Sequence, residues 1–270
     1  MKSGKIVLAL AVWLAAAGGS EAQASPVVFS ATGINAAGIL TTVTDFRNAL
    51  GPLNPNVAGS LGSGRREINW DGVPNQFASP NAFPVDFFNI NSPRGVVYST
   101  PGDGFQVSGA AGVAPIEFDN LDPNNSAQFA PFSGQRLFTA VNSFITDVTF
   151  FVPGSNEFAA ATNGFGVVFT DVDAANTTSL EFFDIAGASL GLFYVPNIAG
   201  NETFSFLGVL FNQGELISRV RITSGGPNDA VVMDDFIYGE PTPVPEPASI
   251  MLLGGGLAMV ARRLRRSRGK

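Results

Sequence analysis

The sequence predicts an all-β fold, an antiparallel β-sandwich of jelly-roll type with one short N-terminal helix, and three observations carry that reading. From Gln135 onward, seven runs rich in apolar, β-branched and aromatic residues recur, at residues 144–152, 165–171, 179–184, 190–195, 203–211, 216–223 and 230–238. Turn-forming clusters separate them, among them Pro153-Gly154-Ser155-Asn156 and Ser224-Gly225-Gly226-Pro227-Asn228. Short strands with a turn signal about every ten residues are the pattern of a sandwich or barrel. No repeat of fixed period runs through them, which excludes a propeller or solenoid.

Taken in order, the chain starts with Lys2 and Lys5, an apolar run over residues 6–17 and the small-x-small triplet Ala22-Gln23-Ala24. Those are the parts of a secretory signal peptide, residues 1–24, cut by signal peptidase after Ala24. Val27-Val28-Phe29 reads as a first strand. Within residues 38–50, Ile39, Leu40, Val43, Phe46 and Leu50 recur at helical spacing before Gly51-Pro52, which predicts an amphipathic helix and its stop. In residues 66–70, Glu67 and Asn69 alternate with Ile68 and Trp70 before an Asp-Gly turn, a strand pattern. Phe77, Phe83, Phe87, Phe88, Phe105, Phe118, Phe129 and Phe132 lie among prolines, and that much aromatic surface predicts loops packed on a core.

In the strand expected over residues 216–223, Ile217, Arg219 and Arg221 alternate with Leu216, Ser218, Val220 and Ile222, so the two arginines share an outer or cleft face. The extracytoplasmic domain is expected to span residues 25–240. A link over residues 241–247 has proline at alternate positions, which favours an extended polyproline-like spacer. An apolar run over residues 250–261 and an arginine cluster close the chain. As a helix that run is only ~18 Å long at ~1.5 Å per residue, short of a ~30 Å hydrocarbon core, so it suits a handling signal better than a lasting anchor.

Composition narrows the chemistry. The chain's net charge of −7 includes +1 from residues 1–24 and +6 from residues 248–270, which leaves −14 on residues 25–247, with arginine as the only cation there. So acidic a domain excludes nucleic acid as a partner, because phosphates require neutralisation. The absence of cysteine removes disulfides and thiol nucleophiles, and the absence of histidine removes Ser-His-Asp catalysis and His-ligated metals. Carboxylates, hydroxyls, arginines and oxygen-ligated metals remain.

The ending Val244-Pro245-Glu246-Pro247-Ala248-Ser249, then the apolar run, then arginines, resembles the PEP-CTERM sorting signal, here over residues 244–268. The resemblance implies export in a Gram-negative bacterium that makes exopolysaccharide, transient anchoring of the tail in the inner membrane, and recognition of Pro245, Glu246 and Pro247 by an exosortase-type transpeptidase. The ectodomain is similar to an uncharacterised one found with such tails, on Gly64-Arg65-Arg66-Glu67-Ile68-Asn69-Trp70-Asp71-Gly72 and Val231 to Tyr238; this lends no activity. The last strand is also similar in a general way to that of calcium-binding jelly-roll and lectin-like modules.

Three kinds of site are open to these residues. Calcium needs several oxygen ligands, and Asp171, Asp173, Asp234 and Asp235 supply carboxylates near strand ends. Because neighbouring strand residues face opposite ways, only one of Asp234 and Asp235 is expected to point into a given site, with Asp235 preferred. For glycan, Trp70, Tyr98, Tyr194 and Tyr238 offer stacking faces and Arg219 and Arg221 offer donors. Carboxylate catalysis would draw on Glu67, Glu117, Glu157, Glu181 and Asp184, which spacing alone does not pair. The reading is therefore a non-enzymatic envelope-sorted protein associated with exopolysaccharide, glycan-binding with structural calcium; the alternative is a carboxylate-dependent glycan-active hydrolase.

Overall fold

A computed structural model describes residues 26–244. In chain order it contains β1 (Val27–Gly33), α1 (Ala37–Leu50), β2 (Arg65–Ile68), α2 (Phe87–Ile90), β3 (Val96–Ser99), β4 (Phe105–Val107), β5 (Phe138–Ala140), β6 (Ile145–Phe150), β7 (Ala160–Ala161), β8 (Gly164–Thr170), β9 (Ser179–Phe183), β10 (Ser189–Tyr194), β11 (Phe204–Leu210), β12 (Arg219–Thr223), β13 (Gly225–Gly226), β14 (Asp229–Ala230), β15 (Val232–Gly239) and β16 (Thr242–Pro243). The protein is mostly β. A seven-stranded sheet has the order β1-β11-β8-β15-β5-β4 with β2 also on β15, and a five-stranded sheet has the order β10-β9-β12-β6-β3. β13 with β14 and β16 with β7 form two small ribbons, and every ladder between named strands is antiparallel.

The larger sheet is covered on both faces. One face contributes Phe165, Val167, Phe169, Leu207, Val209, Phe236 and Tyr238 to a core that also holds Val148, Phe150, Leu180, Phe182, Val220 and Ile222 of the smaller sheet. The other face packs under α1, whose Ile39, Val43, Phe46 and Leu50 recur every three to four residues and so share one helix face. Sequence periodicity located this helix to within a residue at its start. Gly51, at φ 105°, ends it, and its N–H returns to the carbonyls of Arg47 and Asn48.

Phe46 sits in a notch made by glycines. Gly166 and Gly208 are partners across β8 and β11, and a Cβ on either would meet the Phe46 ring at 2.8 or 2.9 Å. Coverage on both sides explains why β8, β11 and β15 are buried along their whole length and why β8 and β11 read as mostly apolar runs. β6 and β12 instead alternate, with polar residues outward.

The proline-rich N-terminal portion packs as expected: Phe83, Phe87, Phe88, Phe105, Phe118 and Phe129 are buried. At its centre the Trp70 ring stacks on Phe138 at 4.0 Å and meets Phe88 and Phe236 edge-on. Arg66, fully buried, joins that portion to the end of β15 through a fork of 2.6 and 2.7 Å bonds to the buried Glu240 carboxylate. The same guanidinium donates to the carbonyls of Pro55, Val57, Gly59 and Pro93.

Two local expectations are corrected. Ile217 does not share an outward face with Arg219 and Arg221. It is buried, because the chain there forms an isolated bridge with Thr162 and the ladder starts only at Arg219. The start of the proline-rich link is not a free spacer either, because Thr242 and Pro243 pair with Ala161 and Ala160. Among the described residues, no helix is long and apolar enough to cross a membrane.

Candidate functional site

The densest polar construction lies on β15. Met233 pairs with Phe169 and Phe236 with Val167, so Asp234 and Asp235 together oppose one residue of β8, a β-bulge. The bulge overturns the expectation that these carboxylates point apart, since both reach Ser133. Asp234 Oδ2 accepts the N–H groups of Phe132 (2.6 Å) and Ser133 (3.2 Å), and Asp235 Oδ1 accepts the Ser133 hydroxyl. Burial first, and the charge of Asp235 second, push the Asp234 carboxyl well above the usual carboxylate range. Burial also raises Asp235, while Ser133 and Arg47 pull it down.

Arg47, on the last turns of α1, links Asp235 to β2. Its Nη2 lies 2.9 Å from both Asp235 Oδ2 and Glu67 Oε2, and Arg65 Nε approaches Glu67 Oε1 at 2.6 Å. A basin of about 280 Å³ opens here, lined by Arg47, Asn54, Asn56, Glu67, Asn69 and Asp235 among others. Its carboxylates are already paired with guanidinium groups. Amides and arginine donors suit a neutral, hydroxyl-rich ligand better.

The outer face of the smaller sheet is the second construction. Arg221 opposes Asp147 on β6 and Glu181 on β9. Asp147 Oδ1 accepts from Arg219 Nη1 (2.7 Å) and Arg221 Nε (3.0 Å), and its Oδ2 accepts from Arg221 Nη2 (2.8 Å). Burial pushes the Asp147 carboxyl up, and the two arginines more than offset it, holding it below its usual value. The Arg219 guanidinium lies 3.7 Å from the Phe183 ring centroid. Tyr194, at the sheet edge, is half exposed.

The third is the turn after β8. Asp171, in a left-handed conformation at φ 69°, is buried, and its Oδ1 has no partner among the described residues. Burial and the neighbouring Asp173 and Asp229 raise its pKa to about 7. Asp173 Oδ1 accepts the Gly200 N–H, and Asp229 accepts the N–H groups of Asp173 and Ala174 and the Thr177 hydroxyl. Among the described residues, no three Asp or Glu side chains are grouped so as to hold a metal ion.

The sequence-derived candidates therefore separate. Arg219 and Arg221 stand together and outward, and Asp171 and Asp173 share a turn with Asp229. Trp70 is not available to a sugar: it is fully buried, with its Nε1–H donating to the Asp234 carbonyl at 2.8 Å. Tyr98 and Tyr238 are buried as well. Ala22, Ala24, Pro245, Glu246 and Pro247 lie outside the described residues. Sequence reasoning missed Arg47, Asp147 and Asp229. Of these, only Asp147 carried a signal, as the outward acid in the alternating Ile145-Thr146-Asp147-Val148-Thr149-Phe150.

Residues 243–266 match the PEP-CTERM protein-sorting motif, which begins within β16. No curated protein and no solved structure matches the chain.

Proposed function

We propose that this chain is a non-enzymatic exported protein, delivered to the cell envelope of a Gram-negative bacterium by an exosortase-type transpeptidase and associated there with exopolysaccharide. The observation that carries the reading is the sorting motif at residues 243–266, directly following a folded β-rich domain. Signal peptidase is the partner at the other end, and the tail is the part that meets the membrane. Two antiparallel sheets on one core support reading the fold as a sandwich of jelly-roll type. Neutral glycan is the ligand class that suits the basin between Arg47 and Asn69 and the open face with Tyr194 and Arg221, which offer amide and guanidinium donors beside a stacking surface. Calcium enters only at the Asp171 turn, where a cation would neutralise a buried carboxyl oxygen.

Of the acids the hydrolase alternative would draw on, Glu67 is committed to Arg47 and Arg65, Glu181 accepts from Ser189, and Asp184 accepts backbone N–H groups of its own turn, which disfavours that alternative at these three. A panel of soluble and insoluble polysaccharides, assayed for retention and for cleavage, tests the reading. Retention without turnover is expected, and turnover of any member would overturn it. Melting curves with calcium and with EDTA test the Asp171 turn, where coincident curves would remove the ion.

A further inference from the structure

A second cavity, of about 380 Å³, opens where β6 ends, β12 begins and β9 turns into β10. Phe151, Phe183, Ile185 and Arg219 line it, and so does Val244, the last described residue. The chain arrives there in a fixed direction. Thr242 and Pro243 pair with Ala161 and Ala160, and the Val244 N–H donates to the Ala159 carbonyl at 3.1 Å. The next residues are Pro245, Glu246 and Pro247. At ~3.3 Å per extended residue, Glu246 is within about 7 Å of Val244 along the chain, so the motif begins at the cavity's lip.

We infer that this cavity is the seat of the chain's own Pro245-Glu246-Pro247, with the Glu246 carboxylate opposite Arg219. Proline at positions 241, 243, 245 and 247 favours an extended polyproline-like segment, and such segments dock in aromatic-lined grooves at low entropic cost. Phe151 and Phe183 supply the aromatic lining. Arg219 is held in place by Phe183 and Asp147, and among the described residues only its Nη1 is engaged in a hydrogen bond, leaving donors for a second carboxylate. Ile185 is largely exposed at the rim and gives the segment apolar surface to cover. The consequence, which rests on the sorting reading, is that the folded domain competes for the motif with the enzyme that handles it. That enzyme must lift the segment off the seat.

The absence of cysteine makes the seat testable by disulfide trapping in the full-length chain in detergent micelles. Ile185→Cys is paired with Ala248→Cys, which leaves all three motif residues intact, and the control pair is Ile34→Cys with Ala248→Cys. Both domain positions are exposed, so folding is preserved. Trapping at position 185 is expected to run roughly tenfold or more faster than at position 34, reflecting a raised effective concentration. Adding Arg219→Glu is expected to slow trapping at position 185 several-fold, toward the rate that the short tether from Val244 alone sets. Equal rates for the two pairs, or a rate indifferent to Arg219→Glu, would overturn the seat. Neither outcome depends on whether an exosortase processes the tail, so the seat and the sorting reading fail separately.

Discussion

The two main sheets share one core and differ in what lies behind them. The larger sheet has α1 on its far face, so Phe46 and Leu50 cover what would otherwise be open surface, and its central strands have no polar side to spare. The outer face of the smaller sheet carries Asp147, Glu181, Arg219 and Arg221, partly or fully exposed. The larger sheet is where stability is concentrated and the smaller one is where side chains remain available. Substitutions graded from one to the other can break that division or sharpen it.

The largest effect is expected at the buried fork. Arg66→Ala leaves Glu240 charged and enclosed, and breaking such a pair costs about 3–5 kcal/mol. Urea unfolding would read it, and a loss under ~1 kcal/mol, the range of an exposed pair, would contradict the burial of the fork. Phe46→Ala empties the glycine notch, again at about 3–5 kcal/mol. Gly208→Ala places a Cβ 2.9 Å from the same ring and is expected to cost about 1–3 kcal/mol by overpacking. If Gly208→Ala were neutral while Phe46→Ala was costly, the helix would have room to move away from the sheet.

Protonation separates the same regions. Asp171, at the end of β8, has a folded pKa of about 7, above the ~3.9 of an unfolded aspartate. The native state therefore binds the extra proton, and this contribution to stability is complete below pH ~4 and lost as pH rises through about 7. Asp171→Asn is expected to raise stability at pH 8 by on the order of 1 kcal/mol and to change little at pH 4. Asp147, held low by its arginines, contributes in the opposite sense, as stability lost only in strong acid. The smallest effect is expected at Arg221→Ala, an exposed pair worth about 0.2–1 kcal/mol. A cost as large as that of Arg66→Ala would erase the distinction between the sheets.

Much of this architecture was legible because its determinants are local. Helix α1 announced itself by the spacing of Ile39, Val43, Phe46 and Leu50, and β8 and β11 by mostly apolar runs. Strands of two or three residues, such as β4 and β7, carry too little pattern to be seen and exist because neighbours pair with them. The site was less legible, since its parts meet only through the fold. Arg66 and Glu240 are 174 residues apart, and the Asp234-Asp235 bulge is a property of register against β8. Trp70 drew attention as a surface aromatic, but the buried carbonyl that takes its indole N–H could not be read from its neighbours.

The proposed division between folding and sorting falls near Val244, where the described domain ends and the PEP-CTERM motif of residues 243–266 has just begun. Production of the chain truncated after Val244 in a sorting-competent cell tests that division most directly, through its distribution between envelope and medium and its melting temperature. Release into the medium is expected, of a domain that stays folded and melts cooperatively, because β16 and the Val244 N–H bond are retained. Unchanged envelope retention of the truncated chain would contradict the division.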